Sequence, residues 1–349
     1  MYLKFKQLVC LAIVPALLLA TSCGGQKSKN NSKDTDTVNV TRDSAVAAVP
    51  DTTQKSASNP IVAKLAAPGE TAPIAVSKTG LETASKTINQ PPFEKSFLIK
   101  PERQQEVEDG LRLAAGGDIP GAKLKFDEAI TKNPKNGEAY FFRAKAELDL
   151  KQSDKAMADL DLAIQQERPS SLYYYYRGKL YSDGGKQDLA ISDFTNAIGL
   201  KADFPDAYNY RGVAKAILQK HKEAIEDYDA GIKENPKSAI IYYNKGTSQA
   251  SLQDYKGAIE TFTKGIELDA AQMKAYLNRG NCRLMTGDID GAIADFDKVI
   301  SANPQSADAY YNRGYAKFIG KKDGMCDDWR KAISLGHKEA AKMLDENCK

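Results

Sequence analysis

The sequence predicts an all-α fold built from stacked, repeated helical units, and three observations carry that expectation. A small residue recurs at a fixed step of 34, as Gly110, Ala144, Gly178, Gly212, Gly246, Gly280 and Gly314. Twelve residues after each of the first six stands an alanine (Ala122, Ala156, Ala190, Ala224, Ala258, Ala292), and four residues further a bulky apolar side chain (Phe126, Leu160, Phe194, Tyr228, Phe262, Phe296). A tyrosine precedes the small residue by four in six of seven units: Tyr140, Tyr174, Tyr208, Tyr242, Tyr276 and Tyr310. Self-similarity at this period marks a repeat architecture, in which each unit leaves an apolar face that only a neighbour can cover.

The chain opens differently. Lys4 and Lys6 precede an apolar run from Leu8 to Ala20, broken at Pro15, that ends in Ala20-Thr21-Ser22-Cys23. About 13 apolar-rich residues fall short of the roughly 20 that span a bilayer, so residues 1–22 read as a cleavable leader. The small residues before Cys23 resemble the lipobox of bacterial lipoproteins, with Ala20 where that family usually has Leu. The resemblance implies that Cys23 is acylated and becomes the mature N-terminus; an ordinary secretory leader with an incidental cysteine is the alternative. Gly24 follows Cys23 and no acidic cluster comes after it. By the same resemblance this implies an outer-membrane anchor facing the periplasm.

Residues 23–97 form the expected tether. From 24 to 92 there is no Phe, Tyr or Trp, and Ser, Thr, Asn, Lys, Ala and Pro dominate. Such a segment buries too little apolar surface to offset its ordering entropy, and as a flexible coil it reaches roughly 45 Å root-mean-square.

The repeated part, 98–349, resembles the tetratricopeptide repeat (TPR), a helix-turn-helix of 34 residues, over about 101 to 336. Pro134, Pro236 and Pro304 close three of its seven units. The resemblance implies a right-handed superhelical solenoid in which the small residue of helix A admits helix B, the alanine opening helix B receives it, and the aromatic fills the space between units. The ends depart from the pattern. Unit 1 has Glu106 where the others have tyrosine, and unit 7 has lost one turn residue, so that Trp329 and Ala332 take the places of Phe296 and Val299. From 337 a short pattern with Ala341 and Leu344 on one face reads as a capping helix.

Two ladders run through the units. Arg143, Arg177, Arg211, Lys245, Arg279 and Arg313 precede the small position, and sixteen residues later (fifteen in unit 7) come Asp159, Asp193, Asp227, Thr261, Asp295 and Asp328. Unit 1 carries Asp109 and Lys125, the same pair exchanged, which favours structural ion pairs between helices over an anion-binding ladder. One residue earlier the series reads Glu108, Phe142, Tyr176, Tyr210, Asn244, Asn278 and Asn312. In a TPR superhelix this position lines the concave face, and the asparagines resemble the ladder by which the O-linked N-acetylglucosamine transferase superhelix holds peptide backbones. The position before it, with Tyr175, Tyr243 and Tyr311 among its residues, is mostly aromatic and lacks the lysine of a chaperone-tail carboxylate clamp. A groove of Tyr and Asn suits an extended peptide or a sugar ring; polar residues merely solvated on a helix are the plain alternative.

Composition narrows the function. Without the leader, 47 basic residues face 46 acidic ones, which gives no electrostatic case for nucleic acid. His221 and His337 are the only histidines and read as surface residues, so no metal site, cofactor or catalytic site is expected. No G-x-S-x-G, H-E-x-x-H, G-x-x-x-x-G-K-S/T or paired C-x-x-C is present. Gly116-Gly117 and Gly184-Gly185 fall at turns. In an exported chain Cys326 and Cys348 are placed to bridge if the last helix and the cap pack antiparallel, two free thiols being the alternative, and Cys282 reads as a buried thiol. The expectation is a non-enzymatic, lipid-anchored adaptor that binds a protein or extended peptide in its groove; by resemblance to helical-repeat nutrient-uptake lipoproteins, carbohydrate binding is the alternative.

Overall fold

The computed structural model describes residues 103–348 except Glu167. The leader, Cys23, the tether 23–97 and the first residues of the repeat domain lie outside the described residues. Fifteen helices and no strand are found among those described. They pair as α1 (Gln105–Ala115) with α2 (Ile119–Lys132), α3 (Gly137–Asp149) with α4 (Ser153–Ile164), α5 (Ser171–Asp183) with α6 (Gln187–Leu200), and α7 (Pro205–Ile217) with α8 (His221–Glu234). Then follow α9 (Ala239–Ser251) with α10 (Tyr255–Leu268), α11 (Met273–Thr286) with α12 (Ile289–Ala302), α13 (Ala307–Ile319) with α14 (Met325–Ser334), and the cap α15 (Glu339–Asn347). Odd-numbered helices up to α13 are the A helices of seven units, and even-numbered ones the B helices.

Sterics explain the 34-residue ruler. A Cβ on Gly212 would lie 2.6 Å from Tyr228 Cε1, and one on Gly280 2.7 Å from Phe296 Cε1. Unit 2 alone carries alanine, Ala144, and there the opposing residue is Leu160 rather than an aromatic, so the added methyl is matched by a smaller partner. In unit 7 Trp329 packs on Gly314 and, with Ala332, is fully buried, as expected from the deletion.

The turn from A to B has its own ruler. Positive φ occurs at Gly117, Lys151, Gly185, Gln219, Gln253, Gly287 and Lys321, every 34 residues. Glycine meets this demand in three units; lysine or glutamine is held in the left-handed region in the other four. Asp118, Asp254 and Asp288 then cap their B helices by accepting from the backbone N–H of Gly121, Gly257 and Gly291.

The cap differs from expectation by one residue. Ala340, Met343 and Leu344 face the stack while Ala341 is exposed, because the helix starts at Glu339 and its i, i+3, i+4 stripe begins at 340. Cys326 and Cys348 are disulfide-bonded, with Cα atoms 5.8 Å apart, tying α15 to α14. Cys282 is a free, buried thiol whose pKa burial pushes up to about 12.

Candidate functional site

Consecutive A helices approach one another more closely than consecutive B helices do, so the stack curves with the A helices on its inner side. On an A helix, the residues six before, two before and five after the small position share the face turned away from helix B. That face is the candidate site.

The structure places the residues singled out in the sequence at the floor of this face, mostly closed to solvent. Asn244 is 2% exposed and Asn312 3%. Asn244 Nδ2 donates to Asn209 Oδ1 at 2.8 Å, and Asn312 Nδ2 donates to Asn281 Oδ1 at 3.0 Å. Asn278, half-buried, donates to the Tyr243 hydroxyl at 3.5 Å. The amides therefore join adjacent A helices, and the expectation that Asn244 and Asn312 stand open to a partner is corrected. Their amide nitrogens are engaged in crossing the seam, while Asn244 Oδ1 is buried without a hydrogen-bond partner.

Tyr175, Tyr176, Tyr210, Tyr243 and Tyr311 are likewise buried. Tyr175 meets Tyr176, Phe194, Phe204 and Tyr210 at centroid distances of 5.4, 6.1, 4.9 and 5.6 Å. Two lysines roof this aromatic floor. Lys179 Nζ lies 5.7 Å from the centroids of Tyr175 and Tyr176 and 5.4 Å from that of Tyr210, and Lys145 Nζ lies 5.4 Å from that of Tyr176. Burial lowers the Lys179 pKa, with Asp183 and Asp206 opposing the shift; burial raises that of Asp206, with Lys179 opposing.

The open positions are others. Six before the small residue stand Glu138, Leu172, Asp206, Ile240, Lys274 and Asp308; five after it stand Asp149, Asp183, Ile217, Ser251, Met285 and Ile319. All are partly or well exposed. Along units 2 to 4 this rim is mainly acidic, with Glu138 held by both Arg103 Nε and Nη2. From Ile217 onward it becomes mainly apolar. The same 34-residue register that exposed the small positions contained this signal, but it emerges only once the wheel angle facing the inside is known.

The arginine ladder belongs to the framework. Arg143, Arg177, Arg211, Arg279 and Arg313 each donate two bonds to Asp159, Asp193, Asp227, Asp295 and Asp328, at 2.5–3.0 Å. Each also reaches backward with Nη1 to the preceding unit's B helix, onto Asp127, Asp161, Thr195, Thr263 and Asp297. This second arm, sixteen residues upstream, escaped the sequence reading; it makes each arginine a staple across the unit boundary. Lys245, facing Thr261, uses only the backward arm, to Asp229 at 2.6 Å. The exchanged pair of unit 1 does not form across the helices: Lys125 bonds Glu128, and Asp109 bonds Arg112 and Gln105, each within its own helix.

Both histidines are buried, against expectation. His221 opens α8 at a place that Ile119, Tyr255 and Ile289 occupy in other units, and is 6% exposed. His337, 3% exposed, stacks on Tyr311 with centroids 4.1 Å apart, beneath the cap. Burial lowers both imidazole pKa values. No group of three or more His, Cys, Asp or Glu able to hold a metal occurs among the described residues, and none of their helices is long and apolar enough to cross a membrane.

A family model described as tetratricopeptide repeat matches residues 108–171, 175–239 and 218–273, and one described as TPR repeat matches 283–318; together they cover more than half of the chain. Among solved structures, the C-terminal part of a TPR repeat-containing protein from Cytophaga hutchinsonii is 19% identical, covering 68% of this chain and 99% of that one, with a TM-score of 0.57. A tetratricopeptide repeat protein from Parabacteroides merdae is 20% identical over 69% of this chain and 96% of its own, with a TM-score of 0.50. The Cut9–Hcn1 hetero-tetramer of the APC/C matches at 17% identity over 68% of this chain and 46% of that chain, also with a TM-score of 0.50. No curated protein matches.

Proposed function

The chain belongs to the tetratricopeptide repeat family, whose members are protein-binding scaffolds, and from that premise we propose a non-catalytic adaptor held at the outer membrane by acylated Cys23. Its partner is a protein segment lying along the inner face of the A helices, on the periplasmic side, in envelope assembly or in recruitment of cell-wall enzymes. The observation that carries this reading is the rim: a series of open side chains that turns from mainly acidic (Glu138, Asp149, Asp183 and Asp206, with Leu172) to mainly apolar (Ile217, Ile240, Met285 and Ile319, with Ser251, Lys274 and Asp308 among them) along the stack. A segment with a basic part and an apolar part matches it. The burial of the groove tyrosines leaves no comparable platform for a sugar ring.

The anchor is supported by the Ala20-Thr21-Ser22-Cys23 sequence alone. Photo-crosslinkers placed at Asp183, Ile240 and Ile319 should trap one common protein in cells, whereas one placed on the exposed Leu189 of α6 should not. Equal trapping from both faces would overturn the groove reading. Replacing Cys23 with Ser should move the protein out of the membrane fraction, and membrane retention of that variant would remove the anchor from the proposal.

A further inference from the structure

Three residues after the small position, the units carry Leu113, Glu147, Tyr181, Lys215, Gln249, Arg283 and Lys317. In units 4, 6 and 7 the cation at this place bonds the B-helix aspartate that already holds the ladder arginine: Lys215 to Asp227 at 2.8 Å, Arg283 to Asp295 at 2.8 Å and Lys317 to Asp328 at 2.7 Å. Unit 2 sets a carboxyl group, Glu147, toward the corresponding carboxylate, Asp159. Both are nearly sealed, at 3% and 4% exposure.

The cations around this site are outnumbered, two against three carboxylates. From α2 come Lys123 and Asp127, from α3 Arg143, and from α4 Asp159. Arg143 donates two bonds to Asp159 and one to Asp127, at 2.6, 2.6 and 2.7 Å, and Lys123 bonds Asp127 at 3.3 Å. Two cations thus answer two aspartates before Glu147 is counted. Lys123, shared with Asp127, makes only a long ion pair with Glu147 Oε1, at 3.8 Å and beyond a hydrogen bond, and Glu147 Oε2 is buried with no hydrogen-bond partner. An acceptor-only carboxylate in that position would be unpaired in a site of low dielectric.

We propose that unit 2 folds around a proton: Glu147 is the neutral acid, donating its O–H to the Asp159 carboxylate, and this bond makes the seam between units 1 and 2 tighten as pH falls. The physical causes agree with the geometry. Burial first, and the Asp159 charge second, raise the Glu147 pKa above its ordinary 4.5, while Lys123 and Arg143 oppose the rise. A carboxyl group whose pKa is raised by folding binds its proton more tightly in the native state. Its contribution is therefore complete below the unfolded pKa and is lost as pH rises through the folded one. The seam joins α2, α3 and α4, so the response belongs to the N-terminal end of the stack, where the tether enters. In units 4, 6 and 7 a permanent cation stands where unit 2 relies on a proton.

Hydrogen exchange of the purified chain between pH 5 and 8, corrected for intrinsic rates, tests this. Protection of α2–α4 relative to α9–α12 should fall by up to tenfold per pH unit above 4.5 until the Glu147 pKa is passed. In Glu147→Gln, which keeps a neutral donor, and in Glu147→Lys, which restores the cation of units 4 and 7, that dependence should vanish. A flat wild-type response, or the same slope in Glu147→Gln, would overturn the proposal. So would a carbon-13 carboxyl titration of the wild-type chain that puts the Glu147 midpoint at or below 4.5, a readout that does not depend on either variant folding.

Discussion

Units 1 to 4 and units 5 to 7 obey one repeat rule, yet their inner seams are made of different matter. In the first region the A helices meet through rings, Phe141 on Tyr173 and Tyr176, and Tyr175 on Phe204 and Tyr210. The buried apolar residues from Val107 to Tyr210, with Ala214, accordingly form one continuous core. Later seams are crossed by hydrogen bonds instead, Asn209 to Asn244, Tyr243 to Asn278 and Asn281 to Asn312. From within unit 4 onward the apolar core breaks into separate clusters, about one per unit, the first of them joining Val213, Ala224 and Tyr228 of unit 4 to Ile241 of unit 5. An aromatic seam adds apolar burial and couples neighbours strongly. An amide seam costs desolvation and returns little net stability, but it tolerates only one register. The first half should therefore unfold as a block, and the second unit by unit.

The sharpest way to break this contrast is Tyr210→Ala. Tyr210 packs on Tyr175 and Phe194, 5.6 and 5.7 Å away, and truncation should cost about 3–5 kcal/mol and split a single urea transition of the first half in two. A uniform shift of an unbroken transition would mean that the rings are not the coupling. Reducing the Cys326–Cys348 bridge, which closes a sequence separation of 22, should cost about 3 kcal/mol. Exchange protection should then drop in α14 and α15 and leave α1 to α8 unchanged, since a unit-by-unit region does not transmit the loss.

Asn244→Ala leaves Asn209 unpaired and should cost about 1–3 kcal/mol, while Asn209→Leu with Asn244→Leu should recover most of it. If the double variant is as unstable as the single one, the seam is held by shape rather than by the amides. The smallest effect is a control. Lys151→Gly in the first half and Gln253→Gly in the second both relieve a positive φ, and each should stabilise by about 0.5–1 kcal/mol, the difference between left-handed strain and glycine's entropy. Equal gains in melting experiments would show that the two halves differ at their seams and not in their turns.

Much of the fold was legible because it is steric and periodic. Gly212 beneath Tyr228, Gly280 beneath Phe296 and Arg177 bonded to Asp193 are local relations, repeated often enough in one chain to reveal themselves. The site was less legible. The sequence offers Asn244 and Asn312 as groove residues, but they are buried between neighbouring A helices, and that burial depends on how closely those helices approach, a property of the stack. The same holds for His337, whose ring is hidden only because Tyr311 and the cap close on it.

What the sequence determined by itself is therefore the unit, seven times over: two helices, a turn, and a small residue admitting a bulky apolar side chain, with an ion pair joining the two helices in five of the seven. Those contacts lie within about sixteen residues and recur every 34, so the pattern encodes them directly. Only the tertiary structure decided what happens between units: the backward arm of each arginine, the change from ring to amide seams, the closing of the floor and the opening of the rim, and the meeting of Glu147 with Asp159. These depend on the curvature that stacking imposes. Curvature is set by side-chain volumes summed over neighbouring units, which no single position in the repeat displays.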